Sequence, residues 1–323
     1  MKLLILGGTK FLGRAAVEAA LADGHDVTLF NRGTTNPELF PEAARIQGDL
    51  ADDLGALAGR SWDAAIDLDP TQLPRQTRRR AEALADGVAH YVFVSTISVY
   101  ADPSQPVDES SPLLEPPDPE PETFEMELYG NLKVGSERVV QDVFGERATI
   151  ARAGLIVGPH DPTERFTYWP RRLAEGGDVL APGDPDAPLQ FVDARDLGAW
   201  LVLAGLERTG GVFNATGPAE PLTLGGALER IAAAVGSDAR LVWTAEQRIL
   251  DAGVQPWMEL PLWLPGTDAD GLMRGKIGRA LAAALAFRPL EETARDTLAW
   301  SREAGEQRPT LSRAREAEIL AAS

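Results

Sequence analysis

The sequence predicts an α/β protein with a doubly wound parallel sheet. Residues 1–32 read strand, glycine turn, helix, strand. Further β-forming runs then alternate with helical segments as far as residue 157. The strongest of these runs, His90 to Val94, delivers a hydroxyl-rich stretch, Ser95-Thr96-Ile97-Ser98-Val99-Tyr100. It does so at the strand's C-terminal end, the edge where open parallel sheets meet their ligands.

Lys2 to Leu6 is an apolar run long enough for one buried strand. It breaks at Gly7-Gly8-Thr9-Lys10-Phe11-Leu12-Gly13, after which Leu12, Ala16, Ala19 and Ala20 recur at helical spacing. Gly7 and Gly8 allow backbone N–H groups to approach a pyrophosphate, and Gly13 allows the helix to lie against the strand. The helix start adds unpaired N–H groups and a partial positive charge. Residues 7–13 are therefore the expected phosphate-binding turn. Lys10, standing where the usual fingerprint has its middle glycine, either reaches a phosphate or points to solvent. Val27 to Phe30 is the second strand, followed by Asn31-Arg32-Gly33. An acidic residue there would bind the 2′-hydroxyl of NAD, whereas an arginine accommodates the 2′-phosphate of NADP. With Arg32 at the strand end and Lys10 in the turn, the chain is read as preferring NADP, with NAD as the alternative.

Residues 34–44 read as a loop, and Ala44 to Gln47 as a brief strand. Asp49 then either meets an adenine amino group or caps a helix over Leu50–Ala58. Ala64 to Leu68 is the next strand. Leu73 to Leu84 is a helix whose basic face (Arg75, Arg78, Arg79, Arg80) is expected to be solvated. Residues 102–123, rich in proline and acids, read as an exposed loop or lid over the site mouth. A helix from near Glu125 carries Tyr129 and Lys133 on one face. Ala148 to Val157 is read as a single strand, Leu189 to Ala194 as another, Leu197 to Leu206 as a helix, and Val212 to Thr216 as the last strand of the main sheet. From Leu222 the chain reads as mainly helical. Its apolar loop Pro256–Trp263, including Trp257, either walls a pocket or plugs a local core.

Forty-nine acidic against thirty-one basic residues give a formal charge of −18. Such a surface repels nucleic acid and anionic lipid, so neither is an expected partner. The absence of cysteine excludes disulfides and thiolate metal sites and fits a reducing cytoplasm; no metal is expected. MKLLILGG is too short an apolar segment for a secretion signal and reads as the first strand. No run approaches the ~18 apolar residues of a membrane span.

The glycine turn 7–13, Val-Ser-Thr-Ile-Ser-Val-Tyr at 94–100, Tyr129-x-x-x-Lys133 and Val192-Asp193-Ala194-Arg195-Asp196-Leu197 together resemble the extended short-chain dehydrogenases/reductases, the NAD-dependent epimerase/dehydratase family. The form of the turn is similar to that of an atypical branch holding plastid RNA-binding proteins and bacterial reductases. The resemblance implies a dinucleotide-binding Rossmann domain (1–158 plus 189–216) and a smaller, mainly helical substrate domain (159–188 plus 217–323). It implies Tyr129 as acid/base, Lys133 as the group that lowers the Tyr129 pKa and holds the nicotinamide ribose, and Thr96 as the orienter of the substrate oxygen. Gly7, Gly8, Thr9, Lys10, Phe11, Leu12, Gly13, Asn31, Arg32, Asp49, Leu50, Ser95 and Pro159 would bed the coenzyme. Ser98, His160, Arg165, Tyr168, Gln190 and Trp257 would meet a small-molecule substrate. Two departures narrow the chemistry. Ile97-Ser98 stand where the dehydratases have Asp-Glu, and Leu189 stands where sugar-nucleotide enzymes usually have arginine. The expected activity is an NAD(P)-dependent oxidoreductase interconverting an alcohol and a carbonyl. The alternatives are a nucleotide-sugar epimerase with tightly held NAD, and a non-catalytic cofactor- or RNA-binding relative. The resemblance also offers a homodimer, paired through helices at 73–86 and 126–143.

Overall fold

The structure, a computed structural model, describes residues 1–70, 73–305 and 310–322. Its strands are β1 (Lys2–Leu6), β2 (Asp26–Asn31), β3 (Ala44–Gln47), β4 (Trp62–Asp67), β5 (Val88–Thr96), β6 (Ala148–Ala153), β7 (Leu155–Val157), β8 (Asp178–Pro182), β9 (Pro188–Leu189), β10 (Phe191–Asp193), β11 (Gly211–Ala215), β12 (Leu222–Thr223) and β13 (Arg240–Thr244). Seven of them form one sheet in the order β3-β2-β1-β4-β5-β6-β11, every neighbouring pair parallel. Both faces are covered, which is why β1 and β5 read as nearly continuous apolar runs. On one face Leu3, Ile5, Val27 and Leu29 pack with the helices Phe11–Ala22 and Ala194–Leu206. On the other, Leu4, Leu6, Phe30 and Tyr91 pack with the helices Pro74–Leu84 and Tyr129–Phe144. The order reverses between β1 and β4, so the crevice at their C-terminal ends is the switch point of a doubly wound sheet.

A separate core gathers Phe166, Trp169, Leu173, Leu180, Leu228, Ile249, Leu260 and Trp263. It lies among the β8–β13 and β9–β12 pairs and the helices Tyr168–Ala174, Leu224–Ala234, Glu246–Asp251, Leu290–Glu303 and Arg313–Ala321. Among the described residues no helix is long and apolar enough to cross a membrane.

Several elements differ from the sequence expectation. The strand expected over 148–157 is broken at Gly154; its second half leaves the main sheet and pairs with β10. The strand expected over 189–194 is likewise split at Gln190, whose side-chain amide accepts from and donates to the Gly275 backbone, both at 3.0 Å. The Leu50–Ala58 helix is reduced to one 3-10 turn, Gly55–Leu57, because Asp49 accepts the Ala51 N–H at 2.8 Å in a turn of its own. None of residues 102–123 is on the lining of this crevice. They are fastened by the Tyr100–Leu113 bridge and by the Asn131 amide donating to Glu115 O at 2.6 Å.

Candidate active site

At the switch point lies a cleft of about 840 Å³, lined by residues 6–13, 31–35, 48–51, 68–70, 94–98, Tyr129, Lys133, 153–156 and 161–165, and by a later loop that includes Trp257 and Met273. The glycine turn forms its floor. Gly7 has φ +107° and open space where a Cβ would stand. Gly13 lies so close to Gly8 that a Cβ would come within 3.0 Å of the Gly8 backbone, which is the close helix–strand packing expected of it. Two asparagines brace this turn. Asn31 donates to Gly7 O at 2.8 Å while accepting the Gly33 N–H at 2.9 Å, and Asn36 donates to Thr9 O at 2.8 Å. The Arg32 guanidinium and the Lys10 ammonium, both exposed on the cleft lining, have no partner among the described residues.

The helix Tyr129–Phe144 begins at Tyr129 itself, after a 3-10 turn over Met126–Leu128, so Tyr129 and Lys133 sit one turn apart on its cleft face. Gly130 makes this seating possible: a Cβ there would lie 2.2 Å from Ser98 O. The helix start is thus pressed against the Thr96–Ser98 turn, in which Thr96 Oγ1 accepts the Ser98 N–H at 3.1 Å. Burial pushes the Tyr129 phenol above its ordinary 10; a hydrogen bond with Thr96 and the charge of Arg165 pull it partly back.

Among the described residues Lys133 makes no hydrogen bond to the Tyr129 phenol. Its ammonium, 2% exposed, donates to Asp69 O and Val94 O, both at 3.0 Å. The cationic side chain that lowers Tyr129 is Arg165. Burial lowers Lys133 to about 8, against the opposing pull of the Asp67 and Asp69 carboxylates. Behind it lies an ion cluster that the charge pattern of the 73–84 helix concealed. Arg80, expected in solvent, is fully buried; its Nε donates to Asp67 at 3.2 Å and its Nη1 to Asp69 and to Leu50 O, both at 3.1 Å. Tyr91 donates to the same Asp67 at 2.7 Å. The cluster ties the end of β4 to the 49–51 loop on the cleft wall. Ser95 faces the cleft but spends its hydroxyl on Glu137 at 2.5 Å.

Of the residues expected at the site, the structure brings Gly7, Gly8, Thr9, Lys10, Phe11, Leu12, Gly13, Asn31, Arg32, Asp49, Leu50, Ser95, Thr96, Ser98, Tyr129, Lys133, Arg165 and Trp257 to one cleft. Four others lie elsewhere. Pro159 is not on the lining, whereas Pro162, three residues on, is. His160 turns away with φ +68° and packs its ring 5.4 Å from Trp300. Tyr168 is buried in the second core against Trp169, and Gln190 is occupied by Gly275. Sequence reasoning missed Asp69, although its place at the C-terminal end of β4 beside the switch point was a usable signal. It also missed Leu264, Ala269, Leu272 and Met273 on the lining, which no local pattern marks. Among the described residues no group of three or more metal-type ligands converges.

A family model described as the NAD dependent epimerase/dehydratase family matches residues 75–215, a stretch holding Thr96, Tyr129 and Lys133. Over that stretch the chain is similar to the NAD dependent epimerase/dehydratase family. Two curated relatives are each 30% identical. A UDP-glucose 4-epimerase of Corynebacterium glutamicum matches over 183 residues, 50% of this chain and 53% of that protein. A 2-alkyl-3-oxoalkanoate reductase of Stenotrophomonas maltophilia matches over 177 residues, 50% of this chain and 52% of that protein. The chain thus spans about half the length of the curated relatives it matches. A solved structure of a UDP-glucuronic acid 4-epimerase from Bacillus cereus in complex with NAD superposes with a TM-score of 0.66 at 18% identity, covering 95% of this chain and 100% of that one. At that identity the likeness shows the fold alone.

Proposed function

We propose that this chain is an NAD(P)-dependent oxidoreductase that interconverts an alcohol and a carbonyl, with Tyr129 as the acid/base. One observation carries the reading: the Tyr129 phenol and the Thr96 hydroxyl line the same cleft as an open glycine turn at a helix start. The residues present fit a nicotinamide dinucleotide. Gly7 leaves room for close backbone approach, and the first N–H groups of the helix Phe11–Ala22 suit a pyrophosphate. The unpartnered Arg32 and Lys10 suit a further phosphate, which favours NADP over NAD.

When bound, the coenzyme supplies or accepts the hydride. The chain's own residues manage the proton. Burial keeps Tyr129 protonated near neutrality, so in the reducing direction the phenol gives its proton to the substrate's carbonyl oxygen, which the Thr96 hydroxyl orients. The phenolate left behind is stabilised by Thr96 and by the nearby Arg165 charge. Lys133, with two of its three N–H groups spent on carbonyls, keeps one donor for the coenzyme ribose. The second hydrophobic core supports reading 159–188 plus 217–323 as the substrate-binding part, with 1–158 plus 189–216 binding the coenzyme.

The test is NADPH oxidation with small carbonyl compounds, run on the wild type and on Tyr129→Phe. The variant should lose roughly 10²–10⁴-fold in turnover while binding NADPH as tightly; unchanged turnover would remove Tyr129 from its role. A second reading, an epimerase that re-reduces the sugar it has oxidised, is favoured by the equally similar UDP-glucose 4-epimerase. It predicts NAD that copurifies with the protein and does not exchange, whereas the reductase releases its coenzyme at each turnover.

A further inference from the structure

Besides Tyr129, the cleft lining holds a further cation and a group of apolar side chains from one later loop. The cation is Arg165; the apolar wall is made by Trp257, Leu264, Leu272 and Met273. Arg165 is presented by a turn built on the fully buried Asp161. The Asp161 Oδ1 accepts from the Thr163 N–H at 2.8 Å and from its hydroxyl at 2.6 Å, and Oδ2 accepts the Arg165 N–H at 3.2 Å. The Arg165 Nε in turn donates to Thr163 Oγ1 at 2.7 Å. This fixes the guanidinium plane and leaves both Nη groups without a partner among the described residues. A guanidinium held in this way is a ready fork for one planar anion.

The apolar part of the lining is also held in place. Trp257 sits at φ +62°, a conformation rare for a bulky residue and held only by its surroundings. Its loop is fastened from behind: Trp169 Nε1 donates to Pro261 O at 2.7 Å, and Glu246 accepts from Trp263 Nε1 and the Gly266 N–H, both at 3.1 Å. The loop's own cations are already paired, Arg274 with Asp270 at 3.6 Å and Lys276 with Asp108 at 3.2 Å. A nucleoside diphosphate placed here would find one guanidinium for its two phosphates, and leaving a desolvated phosphate unpaired costs several kcal/mol.

We propose that the substrate is a singly charged organic anion with an apolar body, a medium-chain carboxylic acid whose carboxylate rests on Arg165 and whose alkyl part lies against the Trp257–Met273 wall. The proposal rests on the oxidoreductase reading for its reacting group. Arg165 and Tyr129 line the same cleft, so an acid with its carbonyl close to the carboxylate, as in a 3-oxo acid, would offer one group to each.

Binding is tested apart from turnover. With NADP⁺ present, and again without it, octanoate, octanamide and UDP-glucose are titrated calorimetrically into wild type and Arg165→Gln. Octanoate should bind at least ~10-fold more tightly than octanamide, and Arg165→Gln should erase that difference while sparing octanamide. UDP-glucose binding more tightly than octanoate, an equal loss of both octyl probes in the variant, or no binding of octanoate would each overturn the proposal. Reduction of 3-oxooctanoate and of its methyl ester by NADPH separates the two claims. If the ester is reduced as well as the acid, the oxidoreductase reading stands and the carboxylate assignment falls. If octanoate binds through Arg165 but neither compound is reduced, the anion site stands and the oxidoreductase reading falls.

Discussion

Replacing Lys133 by methionine removes an ammonium while keeping most of the aliphatic stem. Burial lowers this amine from its ordinary 10.5 to about 8, with the Asp67 and Asp69 carboxylates opposing the fall. At ~1.4 kcal/mol for each pH unit, keeping the group charged inside the fold near neutrality costs ~3 kcal/mol. The change also leaves Asp69 O and Val94 O without the donor they have now at 3.0 Å, at ~1–3 kcal/mol each. Gain and loss largely offset each other, so Lys133→Met should alter the unfolding free energy near neutral pH by no more than ~3 kcal/mol. The pH dependence is the sharper signature. Between about 8 and 10.5 the unfolded chain holds the Lys133 proton and the folded one does not, so wild-type stability gains from this group as pH rises through that window. The variant should lack that gain. Turnover should fall ~10²-fold, as expected when the donor that positions the coenzyme ribose is lost. Urea unfolding of both proteins near neutral pH and at about pH 10, with turnover measured beside it, makes the comparison. A variant that is strongly destabilised, follows the wild-type pH curve and retains turnover would mean that Lys133 is a structural cation and that the reasoning fails.

Other outcomes follow from the same contacts. Gly130→Ala puts a Cβ 2.2 Å from Ser98 O; the helix start must shift, at ~1–3 kcal/mol of stability and roughly 10²-fold in turnover, with NADPH affinity kept. Unchanged kinetics would show that the seating of Tyr129 is not critical. Arg32→Ala should weaken NADPH roughly tenfold and leave NADH nearly unaffected, read by nicotinamide fluorescence; equal affinities in the wild type would remove the NADP preference. In the reducing direction, activity should decline as pH rises through about 8, where Lys133 loses its proton, and a flat profile to pH 10 would separate that proton from catalysis.

How legible the site was in the sequence depended on distance along the chain. Residues 1–32 and the Tyr129/Lys133 pair were readable because a strand–turn–helix unit and a helical turn are local patterns. Arg80 was misread because four arginines on one helix look solvated until Asp67 and Asp69 arrive from the end of β4. Tyr168 was misread because it lies in an aromatic-rich segment, and aromatic residues serve a core as readily as a pocket. Arg165 was named only as one of several contacts. Its orientation depends on the buried Asp161, and the apolar residues that share the cleft with it lie ninety or more residues later at Trp257–Met273. Nor does periodicity foretell a strand that changes sheets at Gly154, since the residues on both sides are equally β-forming.

The most direct test of the account is a crystal structure of the protein with NADPH. The dinucleotide is predicted to run from the glycine turn at residues 7–13, past Arg32, to bring its nicotinamide within reach of the Tyr129 hydroxyl. A dinucleotide bound elsewhere, or a Tyr129 hydroxyl directed away from the ring, would contradict it.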